Sequence, residues 1–242
     1  MSESHSSVPN LRDLGGLPTE DGATTSYGVL FRSAMPSAED RGLDGVPWPP
    51  SLVLDLRSSA ESGPDHPLAG AGATVRQISL LEALRPDGPQ SASPEVVARM
   101  ASGGLEALYL GMLEVARAEL AQVATLVADH DGATLLHCAA GKDRTGVAVA
   151  MLLRTAGVER DAVVKDYLAT GAAMDAVLQR LRLAPPLDVS RPAPRSYLAI
   201  PQEAIDAVLD VWDAHPGGTA GWLHDAGAEA DVIDRVRARL VD

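Results

Sequence analysis

Residues 137–146 read HCAAGKDRTG and hold the only cysteine of the 242-residue chain. Before the loop, Thr134 to His137 (TLLH) follows the turn signal Asp131-Gly132 and reads as a strand that runs straight into Cys138. Behind it, Gly146 to Arg154 (GVAVAMLLR) is apolar all round and reads as a helix buried on most sides. Strand, short loop and buried helix make the βα unit from which an α/β fold is built.

A cysteine nucleophile works as its thiolate, and a thiol with the ordinary pKa of about 8.5 is only roughly 3% ionised at neutral pH. Successive backbone N–H groups and the N-terminus of the following helix can converge on the sulfur and stabilise the anion. A lowering of about 3 units requires about 4 kcal/mol, within reach of several charged hydrogen bonds acting together. Thr145 offers a hydroxyl donor. Gly141 lets the backbone turn or approach closely, Gly146 permits tight packing at the helix start, and small Ala139 and Ala140 leave the rim open. Arg144, six residues after Cys138, carries the planar fork that holds two oxygens of a phosphate. Thiol, cradle and guanidinium together specify attack of sulfur on phosphorus, loss of an oxygen leaving group and hydrolysis of a cysteinyl-phosphate. A nucleotide-binding loop is excluded, because Leu136 stands five residues before Gly141 and Asp143 follows Lys142.

Further strands are expected at Tyr27 to Arg32 (YGVLFR), Leu52 to Leu56 (LVLDL) and Ala73 to Leu80 (ATVRQISL). Apolar residues at three- and four-residue steps predict one long helix from Gly104 to Asp129 and others at 159–169 and 172–183, with Gly171 between them. Four prolines exclude regular helix from Ala184 to Arg195. Beyond them, Pro201 suits a first helical position before a face of Ile205, Val208, Leu209 and Trp212, and Val232, Ile233, Val236 and Leu240 mark a last helix. The expected fold is α/β: a central, mainly parallel sheet of four or five strands flanked by helices, with a helical C-terminal part. It forms one domain over 1–242, with a flexible tail at 1–8 and a surface loop from Arg85 to Ser93.

Apolar content of 46% and charged content of 22% are those of a folded globular chain. No apolar run approaches the roughly 20 residues of a membrane span, and the start MSESHSSVPN lacks a signal peptide's apolar segment, which predicts no integral membrane contact and a cytoplasmic location. A single cysteine excludes an intramolecular disulfide or a cysteine-cluster metal site, and the six histidines show no ligand spacing, so neither metal nor cofactor is expected. The net charge of −13 opposes non-specific attraction to nucleic acid or anionic membrane while permitting a local cationic pocket. Oligomeric state is left open.

The loop resembles the HCxxGxxR(S/T)G signature of the protein-tyrosine-phosphatase superfamily. More narrowly, it is similar to the bacterial tyrosine/serine and phosphoinositide phosphatases, whose loops contain Lys-Asp and whose other marks recur here as PNLRDLGGLPT (9–19), YGVLFRSAMPS (27–37) and LVLDLRSSAE (52–61). Leu11 departs from the usual Phe. The resemblance implies a phosphomonoesterase acting on a phosphorylated protein or a phosphoinositide, with Cys138 as nucleophile and residues 139–145 around the phosphate. It implies an aspartate as general acid, with Asp143 first and Asp55 second. Lys142 would add a second cation of the kind that accompanies inositol-phosphate recognition, and His137 would tune the loop from behind. Arg32, Asp13, Asp55 and Arg57 are expected as structural ion pairs beneath the loop, and 159–183 as a lid or as packing helices. Glu203, Asp206, Asp210 and Asp213 read as a solvated helix face, and His66, His130, His215 and His224 as surface or packing residues. The rival readings are a rhodanese-like sulfurtransferase and a catalytically silent phosphate-binding module.

Overall fold

The expected central strand, β5 (Thr134–His137), lies in the middle of a five-stranded sheet with β1 (Arg12–Asp13), β2 (Leu30–Ser33), β3 (Leu52–Asp55) and β4 (Thr74–Gln77). The computed structural model describes residues 8–63, 65–84, 92–183 and 198–242. Most of the expected tail and of the 85–93 loop, and the whole proline-rich stretch, lie outside those residues. The spatial order is β1-β2-β5-β3-β4, with β2, β5, β3 and β4 parallel and only β1 antiparallel. Ser33, His137 and Asp55 stand in register at the carboxyl ends of three adjacent strands. Ligands of open α/β sheets bind at that edge, and here the cysteine loop leaves the sheet from it.

Every residue of β2, β3 and β5 is buried, as strands covered on both faces require. Alternation divides them: Leu30, Leu54 and Leu136 face the main core, and Phe31, Val53 and Leu135 a smaller cluster with Leu68. The main core continues through Val147 and Met151 of α4 (Asp143–Thr155) to Trp212 of α7 (Gln202–Asp213) and Val236 of α9 (Val232–Leu240). The C-terminal helices therefore share the core of the sheet.

Several boundaries differ from the sequence reading. The strand expected from Tyr27 begins at Leu30, because Gly28 adopts φ +77° and turns the chain. The single long helix is two, α2 (Gly104–Val115) and α3 (Arg117–Ala128), broken at Ala116 with φ −121° and ψ 30°. No Gly or Pro marks that break; α2 packs on α1 (Pro94–Ser102) and α7, whereas α3 packs on α9, and one straight helix could not serve both. Helices α5 (Arg160–Ala169) and α6 (Met174–Leu183) are joined by a 3-10 turn at Thr170–Ala173, and α8 (Gly218–Asp225) was unmarked. The acidic face of α7 is not simply solvated: Asp206, Asp210 and Asp213 all bond Arg160 and tie α7 to α5.

Trp212 is fully buried and meets the Trp222 ring edge-on at 5.9 Å between centroids. Trp212→Ala should lower stability by about 3–5 kcal/mol. Urea unfolding followed by fluorescence and by circular dichroism should give one coincident transition, and two separated transitions would show that the C-terminal helices form a unit of their own.

Candidate active site

Cys138 follows β5 directly, is 2% exposed and is a free thiol. Around it, five consecutive carbonyls of the loop are each taken by a donor from the surrounding protein. His137 Nδ1 meets the Cys138 oxygen at 3.2 Å. The Met35 N–H donates to Ala139 at 3.1 Å. Asn10 Nδ2 donates to Ala140 at 3.3 Å and to Gly141 at 2.9 Å, and Arg32 Nη2 adds a 2.8 Å bond to Gly141. The Gly146 N–H donates to Lys142 at 2.8 Å. In a planar trans peptide the C=O and the next N–H point in opposite directions. Pinning these oxygens outward therefore turns the N–H groups of residues 139–143 into the hollow at the N-terminus of α4. Among the described residues none of those N–H groups has a hydrogen-bond acceptor, and such a set of unpaired donors is an anion site. Gly141 is required: its φ is +66°, and a Cβ there would stand 2.1 Å from the Ser33 carbonyl oxygen.

The donors behind the loop form a charged network. Asp166 of α5 accepts from Arg32 Nη1 at 2.5 Å and from Arg12 Nε at 2.6 Å, and Arg12 also bonds the Asn10 side-chain oxygen. That last bond orients the Asn10 amide with its NH2 toward the loop. Asn10 itself sits at φ +62°, a left-handed conformation that Asn tolerates. Burial would raise the Asp166 carboxyl, but Arg32 and Arg12 hold it below the ordinary carboxylate range.

Arg144 is nearly buried, and its Nη1 and Nη2 grip Glu61 at 2.5 and 2.8 Å. This end-on contact leaves the side-on fork, Nε–H and the second Nη2 hydrogen, without a protein partner among the described residues. Glu61 is placed by Ser58 and by Arg57, whose Nη1 donates to the Glu61 carbonyl at 3.1 Å. Arg57 in turn is held by both oxygens of Asp55, at 2.7 to 3.2 Å. Burial would raise the Asp55 carboxyl, yet His137 and Arg57 together keep it low. Desolvation opposes the charge of Arg144, but Glu61 and the nearby Cys138 raise its pKa further.

Asp143 opens α4 at the mouth of the loop. Its Oδ1 accepts from Tyr109 at 2.8 Å and from Lys142 Nζ at 2.7 Å, and Tyr109 also bonds Tyr167 at 2.9 Å. Burial above all pushes the Tyr109 phenol far up and that of Tyr167 up to about 12, so both remain hydrogen donors. Lys142 is only 2% exposed, and its ammonium donates to Asp143 and to the Ala199 carbonyl, so it lies in the wall of the site. Thr145 Oγ1 is buried without a protein partner. Asp13 lies elsewhere: its carboxylate takes the Gly15 and Gly28 N–H groups of a turn instead of an ion pair beneath the loop.

His66, expected as a surface or packing residue, faces His137 with the two Nε2 atoms 2.9 Å apart. With Asp55 these rings bring three ligand-type atoms within 4.8 Å of one another. The Leu68 N–H donates to His66 Nδ1 at 3.1 Å, however, which puts the ring proton on Nε2 and makes that atom a donor instead of a metal ligand. A cavity of about 660 Å³ opens at Ala139 between the 35–39 segment, the segment carrying Arg57, Glu61 and Asp65, and Arg180 and Leu181 of α6. Sequence reasoning assigned no role to Asn10, Glu61, His66, Tyr109, Tyr167 or Asp166. Asn10 and Glu61 stand inside the quoted 9–19 and 52–61 segments, whereas the others carry no local mark.

A family model described as a tyrosine phosphatase family matches residues 4–242. The chain is 31% identical over 242 residues to a putative tyrosine-protein phosphatase of Cupriavidus necator, covering 93% of this chain and 83% of that protein. It is 33% identical over 119 residues to the triple specificity protein phosphatase PtpB of Mycobacterium tuberculosis, covering 44% of this chain and 43% of the relative. A tyrosine-protein phosphatase of Nostoc commune is 30% identical over 123 residues.

Two buried groups set the acid stability. Burial holds His137 down to about 4 from 6.5, so between those values the unfolded chain binds a proton that the folded chain does not, and stability falls as the pH falls. Asp166, lowered from 3.8, adds a second loss of the same sign below that value. The urea midpoint should decline as pH falls from 6.5 toward 4 and go on declining below 3.8; a flat profile would contradict this. Asp166→Ala, which strands two guanidinium groups, should cost about 3–5 kcal/mol.

Proposed function

We propose that this chain, which belongs to the tyrosine phosphatase family and is a phosphoric monoester hydrolase, works through a cysteinyl-phosphate with Cys138 as nucleophile and phosphotyrosine as its substrate. The observation that carries this reading is the ring of outward-pinned carbonyls, which aims a row of N–H donors at one hollow beside the only thiol. The amides and the side-on fork of Arg144 hold the three non-bridging phosphate oxygens. The thiolate electron pair forms the S–P bond as the bond to the leaving oxygen breaks, and that oxygen takes a proton. Water then attacks phosphorus, the S–P bond breaks, and the thiolate returns with release of phosphate.

Asp143 is the proton donor in this scheme. Both of its hydrogen bonds land on Oδ1, leaving Oδ2 to carry the transferable proton at the mouth. The rival Asp55 is unsuited, since Arg57 occupies both of its oxygens and holds it ionised. The cavity favours a singly phosphorylated group over a phosphoinositide headgroup. Its two wall arginines are already neutralised, Arg57 by Asp55 and Arg180 by Asp40, Glu61 is taken by Arg144, and Glu39 and Asp65 add negative charge. Helix α6 is the lid of the 159–183 segment, latched by the paired Arg180–Asp40 contact at 2.6 and 2.7 Å.

Cys138→Ser should abolish turnover of p-nitrophenyl phosphate while retaining binding of a phosphotyrosyl peptide, and full activity in that variant would sink the mechanism. Arg144→Lys, which keeps the charge but loses the fork, should lower kcat/KM roughly 10²- to 10³-fold. Initial rates across phosphotyrosyl, phosphoseryl and phosphoinositide substrates should rank the tyrosyl ester first. Hydrogen exchange should show added protection of residues 174–183 on phosphate binding, and none would leave α6 as a packing helix.

A further inference from the structure

Of the five pinned carbonyls, that of Cys138 governs the peptide whose N–H, on Ala139, comes first after the sulfur. Its partner is His137 Nδ1, and His137 is itself gripped from the far side by His66. Proton positions along this chain follow from one end. The Leu68 N–H needs a lone pair on His66 Nδ1, so the His66 proton is on Nε2. That proton needs a lone pair on His137 Nε2, so the His137 proton is on Nδ1, facing the Cys138 oxygen. One combination of two neutral tautomers satisfies all three contacts.

We propose that His66 is a positioning residue of the phosphatase reaction: it fixes the tautomer of His137 and thereby aims and strengthens the Ala139 N–H that meets the anion. The inference rests on the reading of Cys138 as nucleophile. A peptide polarised by a hydrogen bond at its oxygen is a better donor at its nitrogen. With the opposite His137 tautomer, two N–H groups would oppose each other at 2.9 Å and the Cys138 carbonyl would face a lone pair. Protonation of His137 breaks the chain in the same way, and protonation of His66 sets its Nδ1–H against the Leu68 N–H. The charged groups facing the pair are Asp55, at the end of β3, and Arg57, two residues beyond it. Burial holds both imidazoles below their ordinary value, so the neutral chain persists where a free histidine would charge.

The tautomer is tested directly by 15N NMR of the imidazoles at pH 7. His137 should carry its proton on Nδ1 and His66 on Nε2, and the reverse assignment at His137 overturns the proposal. In His66→Leu, iodoacetamide alkylation of Cys138 at pH 6 should slow roughly tenfold, and kcat for p-nitrophenyl phosphate should fall by a similar factor with KM within about twofold. His66→Gln, whose amide can donate to the same nitrogen, should recover most of both rates. Parental rates in the leucine variant, or equal impairment of the two variants, count against the role. Turnover surviving in Cys138→Ser would instead remove the nucleophile reading and leave the tautomer assignment standing, which keeps the two failures apart.

Discussion

The structure depends on one constraint: the carbonyls of five successive loop peptides must point away from the sulfur. Left alone, a five-residue loop between a strand and a helix has no reason to turn all its oxygens outward. Each must be drawn by a donor fixed in place, and here the donors are Asn10, Arg32 of β2, the Met35 N–H two residues beyond it, His137 at the end of β5 and the first turn of α4. The parallel register that brings Ser33, His137 and Asp55 to one edge is what sets those donors within reach. The anion site is thus a property of the sheet as much as of the loop.

That arrangement requires buried charge. Arg32 is fully buried to reach Gly141, and a lone guanidinium there would be prohibitive. Asp166 neutralises it and is shared with Arg12, so that α5, β2 and the N-terminal segment are joined at one carboxylate. On the opposite side of the loop, Asp55, Arg57, Glu61 and Arg144 alternate in sign in the same manner. Arg144 ends that series with its side-on fork unpaired among the described residues.

Residues 134–154 were legible because three local signals agree there: a short apolar run, a loop rich in glycine and small residues, and an all-round apolar helix. Arg32, Asp55 and Arg57 were expected as structural ion pairs, but nothing along the chain joins Arg32 to Asp166 or Arg57 to Glu61. Asp166 looks like any acid on an amphipathic helix, and only the packing of α5 under the loop brings it to Arg32. Ala116 breaks a helix with no breaker residue, since the competing pull of α7 and α9 is tertiary. The setting of Lys142 was hidden for a related reason: only the fold brings the Ala199 carbonyl, 57 residues away, to its ammonium beside Asp143. His66 sits in a segment without periodicity, and nothing along the chain relates it to His137.

The pairing of histidine with histidine, instead of with a carboxylate, follows from the same electrostatics. Asp55 lies 3.9 Å from His137 Nε2, close enough to draw a proton onto that ring if its oxygens were free. An imidazolium so produced would need its charge desolvated in a fully buried site. Arg57 prevents this by taking both oxygens of Asp55, which leaves the neutral N–H of His66 as the donor to His137. Burial above all keeps His137 uncharged, and the cation that holds Glu61 against Arg144 on one side adds to that effect on the other. A single Asp55–Arg57 pair thus borders both the guanidinium fork and the back of the cysteine loop.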